Sequence, residues 1–323
     1  DRYPYSTLTE DGFNYIRNSV KAVVDAFSGE VFIYVMDPTD SLLQMYRRAF
    51  PDLFLDFDRM PADLQAHIRY PNGIFSAQAD MYLRYHITDA QAFFNQAEQW
   101  AIPQDTRFGK RGVEVHPSYL ILQMPGGDSE EFVLMLPFSP AGEKKNLVGW
   151  LTARNDGVHY GKLNAFSVPS DPQVDGPAQV EARIENDQTI SQQFTLWDGP
   201  GSQVVRGQLL VIPVGDAIIY VEPLYLQSEV LAFPELKKVI LADGSNVVMA
   251  DSVGEGLAML LEGKAPLVDT SLGGAGVGGD GQATPGPEDL QVIENAVSGL
   301  DEALKELQEA VERLRESLEK DSQ

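Results

Sequence analysis

Between residues 118 and 250 the chain consists of short runs of β-branched and aromatic residues, and this pattern constrains the fold more than any other feature. Gly, Pro, Asp or Asn separate the runs at roughly 8–15 residue intervals, a spacing typical of an antiparallel sheet or barrel. One helix, GPAQVEARIEND, interrupts them with Pro177 in its first turn, and ADGSN at 242–246 predicts a hairpin turn. The runs are SYLILQMP, EFVLMLPFS, LVGWLTAR, KLNAFSVP, SQQFTLWD, SQVVRGQLLVIPV, AIIYVEPLYLQ, KKVILAD and NVVMAD.

The part of the chain before these runs is mixed and mostly helical. SVKAVVDAFSGEVFIYVMD predicts a β-hairpin that turns at Ser28-Gly29. A helix is expected in PTDSLLQMYRRAF, and one or two more before and after Pro71-Asn72-Gly73. TDAQAFFNQAEQWAIP predicts a further helix, capped by Thr88 or Asp89 and ending before Pro103. Residues 1–117 are therefore expected to be an α+β region, followed by a β-rich domain over 118–265.

The end of the chain predicts a linker and then one long helix. Residues 266–288 are rich in glycine and poor in apolar residues, which is typical of a flexible linker. From residue 289 to 323 apolar residues recur at alternating spacings of three and four, which predicts an amphipathic, coiled-coil-like helix. Its apolar face needs a partner, either a second subunit or a groove on the same chain. The predicted oligomer seam is Leu290, Ile293, Val297, Leu300, Leu304, Leu307, Val311, Leu314 and Leu318.

The charge and the missing residue types exclude several classes of protein. The formal net charge is −24, which disfavours binding to the phosphate backbone of nucleic acids. The chain has no cysteine, so disulfides, thiol catalysis and Cys-ligated metals are ruled out for it. The sequence contains no run of about 18 apolar residues, the length that a membrane-spanning helix requires. The chain also lacks a starting methionine and a signal peptide, so we expect hydrophobic spans to precede Asp1 in the full-length protein.

Sequence motifs for catalysis or metal binding are missing as well. The chain has four histidines and no HExxH or paired-His spacing. It contains no GxSxG elbow, SxxK or phosphate-binding Walker loop. The Asp- and Asn-rich loops match no calcium loop and are explained by turn formation. The sequence therefore predicts neither a metal site nor a cofactor.

Carboxylates are the remaining candidates for chemistry. Glu181 and Glu185 share one face of the GPAQVEARIEND helix, and Glu222 lies within the apolar run AIIYVEPLYLQ. Such a group could supply a general acid and base for hydrolysis. The alternative is that Glu222 is a structural anchor, paired with one of three arginines. The ion-pair candidates are Arg154, Arg183 and Arg206.

The partner of Glu222 depends on strand register. A two-residue turn at Gly215-Asp216 would set Leu209 opposite Glu222 and put Arg206 on the other face of the sheet. A slip of one residue would reverse this. Pro223 cannot donate a hydrogen bond to the ladder, so this end of the strand is expected at an edge or a bulge. The partner is then either Arg206 in a bulged register or a more distant arginine, Arg183 being the next.

Several long motifs resemble one bacterial family. FNYIRNSVKAVVDAFSGEV, HIRYPNGIF, MYLRYHITDAQAFFNQAEQWAIP, EFVLMLPFSP, LVGWLTARNDGVHYGKL and GPAQVEARIENDQTISQQFTLWD resemble Uncharacterised Protein Family 0182. The resemblance runs in order from residue 1 to about 262, and the heptad segment lies outside it. It implies a large multi-span membrane protein with a soluble extracytoplasmic region. It implies no activity and no catalytic residues.

These observations leave three hypotheses open. The chain is expected to be an extracytoplasmic interaction or ligand-binding module of a cell-membrane protein. The alternatives are a carboxylate-dependent envelope hydrolase and the periplasmic domain of a lipid or sugar transporter. Its expected partners are its own transmembrane region, a second copy joined through the C-terminal helix, and other envelope proteins or a small ligand.

Overall fold

A computed structural model describes residues 16–107, 113–199, 201–215, 217–228 and 233–264 of the chain. The fold is α+β, as predicted, with seven helices and three mostly antiparallel sheets in these ranges. The Gly-rich linker and the heptad helix predicted for 266–323 lie outside the described residues. Within the described ranges, no helix is both long and apolar enough to cross a membrane.

The N-terminal hairpin forms as predicted. β1 (Val20–Val24) pairs antiparallel with β2 (Val31–Val35), and Gly29 takes the positive φ of 73° that the turn requires. β3 (Phe54–Asp56) pairs parallel with β2 and completes a three-stranded sheet. The connection from β2 to β3 contains α1 (Ser41–Ala49), whose first turn is capped by the Asp40 side chain.

Three more helices follow, and one of them is shorter than predicted. α2 (Ala62–Ala66) and α3 (Asn72–Tyr85) lie on the two sides of the expected break. α4 (Ala90–Phe94) is capped by Asp89 but ends well before Pro103. The helix stops because Gln96 and Glu98 have positive φ values of 56° and 60°, which an α-helix cannot continue through.

The β-rich region forms two separate five-stranded sheets rather than a closed barrel. In the first sheet the order is β4-β6-β7-β8, and β5 also pairs with β6. β4 precedes residue 117 and the other strands follow it, so the sheet draws on both sides of the expected domain boundary. The strands are β4 (Trp100–Ala101), β5 (Ser118–Gln123), β6 (Glu130–Pro140), β7 (Gly149–Arg154) and β8 (Leu163–Ser167).

The second sheet is built around one long strand. β11 pairs with β10 and β9 on one side and with β12 on the other, and β13 pairs with β12 across the predicted 242–246 turn. The strands are β9 (Ser202–Arg206), β10 (Leu210–Val214), β11 (Ala217–Ser228), β12 (Pro234–Ala242) and β13 (Val247–Ala250).

Two helices between the sheets and one after them complete the fold. α5 (Pro177–Asn186) is the predicted helix. The run SQQFTLWD, predicted as a strand, belongs to α6 (Gln188–Trp197), whose N-cap Asp187 accepts a hydrogen bond from the amide of Ile190 at 2.9 Å. α7 (Val253–Lys264) was not predicted from the sequence.

The core is layered. One apolar cluster joins the two sheets to α5 and α6. A second cluster packs α3 against the opposite face of the first sheet, and a third packs α7 against the opposite face of the second sheet. The charged side chains described next lie where α5 meets β9 and β11.

Candidate functional site

Glu222 lies in the interior of the protein, in the middle of β11, and none of its surface is exposed. Arg206 of β9 donates to both of its carboxylate oxygens, Nε to Oε1 at 2.5 Å and Nη2 to Oε2 at 2.6 Å. Such a two-point arginine–carboxylate pair fixes both charge and geometry. This pairing is one of the two alternatives that the sequence left open.

A bulge brings the two side chains to the same face of the sheet. β10 follows the register of a two-residue turn, with Leu210 opposite Val221. β9 is shifted by one residue, so that Arg206 rather than Gly207 stands opposite Leu224. Directly opposite residues share a face, as do residues two apart on a strand, so Arg206 comes to the face that carries Glu222.

Gly207 makes this bulge possible. Its amide donates to the carbonyl of Pro223 at 2.8 Å, and a Cβ at this position would lie 2.5 Å from Cγ of Pro223. Any larger residue would therefore push the strands apart. Pro223, which has no amide hydrogen, faces the irregular link between β9 and β10, as expected for a proline at a bulge.

The helix α5 brings two more carboxylates to Arg206. Glu181, which is 3% exposed, accepts a hydrogen bond from Nη2 of Arg206. Glu185, one turn later, accepts from Nη1 at 3.2 Å, and its side chain is 39% exposed. The ring of Phe194 on α6 lies 5.3 Å from the guanidinium carbon of Arg206. The structure thus gathers all three predicted carboxylates around one arginine.

Arg107 and Asp105 belong to the same cluster, and sequence reasoning missed both. Arg107 donates to Asp105 through Nε at 2.8 Å and through Nη2 at 2.6 Å. Its Nη1 donates to the carbonyl of Arg206 at 2.7 Å and to that of Gly207. Its Nε lies 4.0 Å from Oε1 of Glu181. The segment that follows β4 is thereby tied to α5 and to the bulge.

The cluster holds one more buried negative charge than positive charge when all its groups are ionised. Asp105, Glu181 and Glu222 face two arginines, Arg107 and Arg206. Burial, reinforced by the charge of Glu222, raises the pKa of Glu181 to about 8. Burial also raises the pKa of Glu222. One proton shared by these two acids would make the buried part of the cluster neutral. Arg206 donates to both carboxylate oxygens of Glu222 but to one oxygen of Glu181, so the geometry favours Glu181 as the protonated acid.

The other two candidate arginines lie elsewhere. Arg183 pairs with Asp175 and donates to the carbonyl of Asp243 at 3.1 Å. Arg154 pairs with Glu131 through two hydrogen bonds. Both pairs join neighbouring segments of the fold, and neither arginine reaches Glu222.

The space beside the cluster is small. A cavity of about 10 Å³ is lined by Asp105, Arg107 and Glu181 together with Pro177 and Leu209. That volume suits a single water molecule. Across the part of the chain that the structure describes, no three His, Asp or Glu side chains are placed to hold a metal ion.

These features define a class: a layered α+β protein whose carboxylates are joined to arginines in its interior. Comparison with known proteins gives the family. The family described as Uncharacterised protein family (UPF0182) matches residues 1–197, and the chain belongs to it. No solved structure matches the chain.

Curated relatives from several bacteria are similar to this chain. A UPF0182 protein of Pelotomaculum thermopropionicum is 46% identical over 272 residues, which cover 84% of this chain and 29% of the relative. A UPF0182 protein of Pelobacter propionicus is 43% identical over 302 residues, which cover 92% of this chain and 32% of the relative. A UPF0182 protein of Prochlorococcus marinus is 44% identical over 265 residues, which cover 81% of this chain and 28% of the relative. The chain therefore spans about a third of the length of these relatives.

Proposed function

We propose that this chain is a non-catalytic extracytoplasmic module of a larger membrane protein of the cell envelope. The observation that carries the non-catalytic part is the position of Arg206, whose guanidinium occupies the space between Glu181 and Glu222. A substrate bond would have to enter that space for the two acids to act on it. The cluster instead joins α5, β9 and β11 inside the fold.

The proposed location is supported by the resemblance of residues 1–262 to multi-span membrane proteins. It is also consistent with the relatives, because more than two thirds of the Pelotomaculum relative lies outside the match. Spanning segments in that remainder would hold this module at the outer face of the membrane.

The absence of cysteine from this chain offers a direct test of location. Ser191→Cys places a thiol at an exposed position of α6, and Thr152→Cys places one at a fully buried position of β7. In cells that express the full-length protein, a membrane-impermeant maleimide should label the Ser191→Cys variant without lysis. The parent protein measures background labelling, and the Thr152→Cys variant should react only after denaturation. Labelling of Ser191→Cys only after lysis would overturn the location.

A second candidate, the carboxylate-dependent hydrolase, is favoured by the pKa of about 8 at Glu181. A carboxyl group that keeps its proton at neutral pH is suited to act as a general acid. Glu181 and Glu222 also contact one nitrogen of Arg206, so the two acids lie close together, as the paired carboxyl groups of a glycosidase do. Release of sugars from purified envelope polysaccharide by the parent protein, abolished by Glu181→Gln, would establish this activity and overturn the non-catalytic proposal.

The transporter alternative has weaker support. A drug-sized or sugar-sized ligand needs a pocket of about 300–1,000 Å³, and the cavity beside the cluster measures about 10 Å³. We therefore assign no small ligand to this cluster.

A further inference from the structure

The helix α1 turns its apolar face away from the protein. Leu43 is its one buried residue, whereas Leu42, Met45 and Tyr46 are 58%, 54% and 50% exposed. At 100° per residue these three and the exposed Ala49 fall within an arc of about 100°. Side chains at spacings of three and four on one helix face are the usual pattern of a surface packed against another element.

Two further large apolar residues follow α1 in the sequence, Phe50 and Leu53, and they are 54% and 47% exposed. Single apolar residues are common on protein surfaces, but several large ones on one exposed helix face mark an interaction site. The apolar arc of α1 is therefore a surface that needs a cover.

We propose that the cover is the heptad segment 290–318 of the same chain, docked on Leu42, Met45, Tyr46 and Ala49. This proposal does not depend on the proposed function, because it concerns which segment covers α1 and not where the module is located in the cell. The segment repeats apolar residues every three and four positions from Leu290 to Leu318. Such a stripe packs most readily against a second helix with the same spacing.

Charge favours this occupant over a second copy of α1. The helix α1 carries two arginines, Arg47 and Arg48, and no acid. The segment 290–318 carries seven acidic and three basic residues. Arg47 is paired with Asp56 at 2.7 Å, which leaves the surface of α1 with a net positive charge. Two copies of α1 would bring like charges together, whereas the heptad segment is net acidic and complements this charge.

The small residues of the segment also suit close packing. Ala296, Ala303 and Ala310 recur every seven residues, directly before the apolar positions Val297, Leu304 and Val311. Alanines along the edge of the apolar face let a second helix approach closely. The exposed Ala49 on α1 is the matching small residue on the other side.

The chain is long enough for docking within one molecule. The stretch from residue 265 to residue 289 separates α7 from Leu290. An extended chain covers about 3.3–3.6 Å per residue, so this stretch spans up to about 90 Å. A globular body of this size is about 45–50 Å across, so Leu290 can reach any point on its surface.

Engineered disulfides test the proposal, because the chain contains no cysteine of its own. Met45→Cys is combined, in the full chain, with a cysteine at Ala296, Ala303 or Ala310, and the dilute protein is oxidised. Two matched controls move one thiol away from the contact. Gln44→Cys lies on the opposite arc of α1, and Glu309→Cys lies on the polar side of the heptad pattern.

At least one of the three alanine positions should give an intramolecular disulfide with Met45→Cys at ten or more times the rate of either control. On a non-reducing gel the product should migrate as a compact monomer. Rates equal to those of the controls would overturn the docking. A predominantly dimeric product would also overturn it, by showing that the segment docks on another copy. Because Met45 is 54% exposed, its substitution should leave the fold intact.

Discussion

The proton on Glu181 gives the buried cluster a pH dependence that a single substitution should remove. Glu181 is 3% exposed, and its pKa of about 8 in the folded protein compares with an ordinary value of 4.5. Glu181→Gln replaces the protonated acid by a neutral amide of nearly the same shape. The amide oxygen can still accept the hydrogen bond from Nη2 of Arg206. The variant therefore imitates the protonated state at every pH.

The sign and the size of the effect follow from the two pKa values. Because the folded-state pKa is the higher one, the stabilisation from this proton is complete below the unfolded pKa of about 4.5 and is lost as the pH rises through about 8. Within that window each pH unit removes up to about 1.4 kcal/mol. The free energy of unfolding of the parent protein should thus fall by about 3 kcal/mol relative to the variant between pH 4 and pH 7.

Urea unfolding, followed by fluorescence of the three tryptophans, measures this difference directly. Parent and Glu181→Gln should be nearly equal in stability at pH 4, and the variant should be the more stable protein at pH 7 and above. Titratable groups outside the cluster contribute equally to both proteins and cancel. Glu185→Gln is the matched control, because its side chain is 39% exposed and its difference from the parent should stay within about 1 kcal/mol.

A constant difference between parent and Glu181→Gln from pH 4 to pH 8 would refute the reasoning. It would mean that Glu181 is ionised throughout and that the two arginines neutralise all three acids. A variant less stable than the parent at pH 7 would point the same way, since the charge of Glu181 would then be stabilising.

Three further predictions concern the surroundings of the cluster. Arg206→Met should lower the free energy of unfolding by about 3–5 kcal/mol, because the buried carboxylates lose their cation. The control Arg183→Met removes a partly exposed ion pair and should cost about 1 kcal/mol or less, so equal losses in urea titrations would contradict the prediction. Gly207→Ala should cost about 1–3 kcal/mol, since the new Cβ would lie 2.5 Å from Cγ of Pro223, and an unchanged thermal midpoint would disprove the close contact. Gly73→Ala meets no atom within 4 Å in α3 and should add about 0.4–1 kcal/mol; a lower thermal midpoint would be evidence against an unstrained helix there.

Hydrophobic periodicity predicts most of the helices and strands, and its main error concerns α6. The run SQQFTLWD is predicted as a strand because it resembles the neighbouring β-like runs, and Phe, Thr and Trp are common in strands. The helical signal lies in a longer window, in which Ile190, Phe194 and Trp197 are spaced by four and three residues. With Asp187 as the N-cap, this spacing packs one helix face into the core between the sheets, and tertiary packing overrides the local preference.

The cluster could be predicted only in part. Glu181, Glu185 and Glu222 stand out because acids within apolar or helical patterns are conspicuous in a sequence. Arg107 and Asp105 lie in a segment with no strand or helix period, and their one local signal is the Asp-Thr-Arg spacing that lets the two side chains meet. Their role depends on Nη1 of Arg107 reaching the carbonyl of Arg206, a contact between residues 99 positions apart that no local pattern encodes.

The choice of partner for Glu222 depended on a single residue of register. An unbroken ladder from β10 to β9 would have put Gly207 opposite Leu224 and turned Arg206 to the other face, towards α7 and the third apolar cluster. Glu222 and Glu181 would then lose their cation, at a cost of about 3–5 kcal/mol. The charge pairing therefore selects the bulged register, and Gly207 is the residue that allows the backbone to adopt it. Local turn geometry predicted the register of β10 correctly, but the register of β9 follows from the charges that the fold must bury.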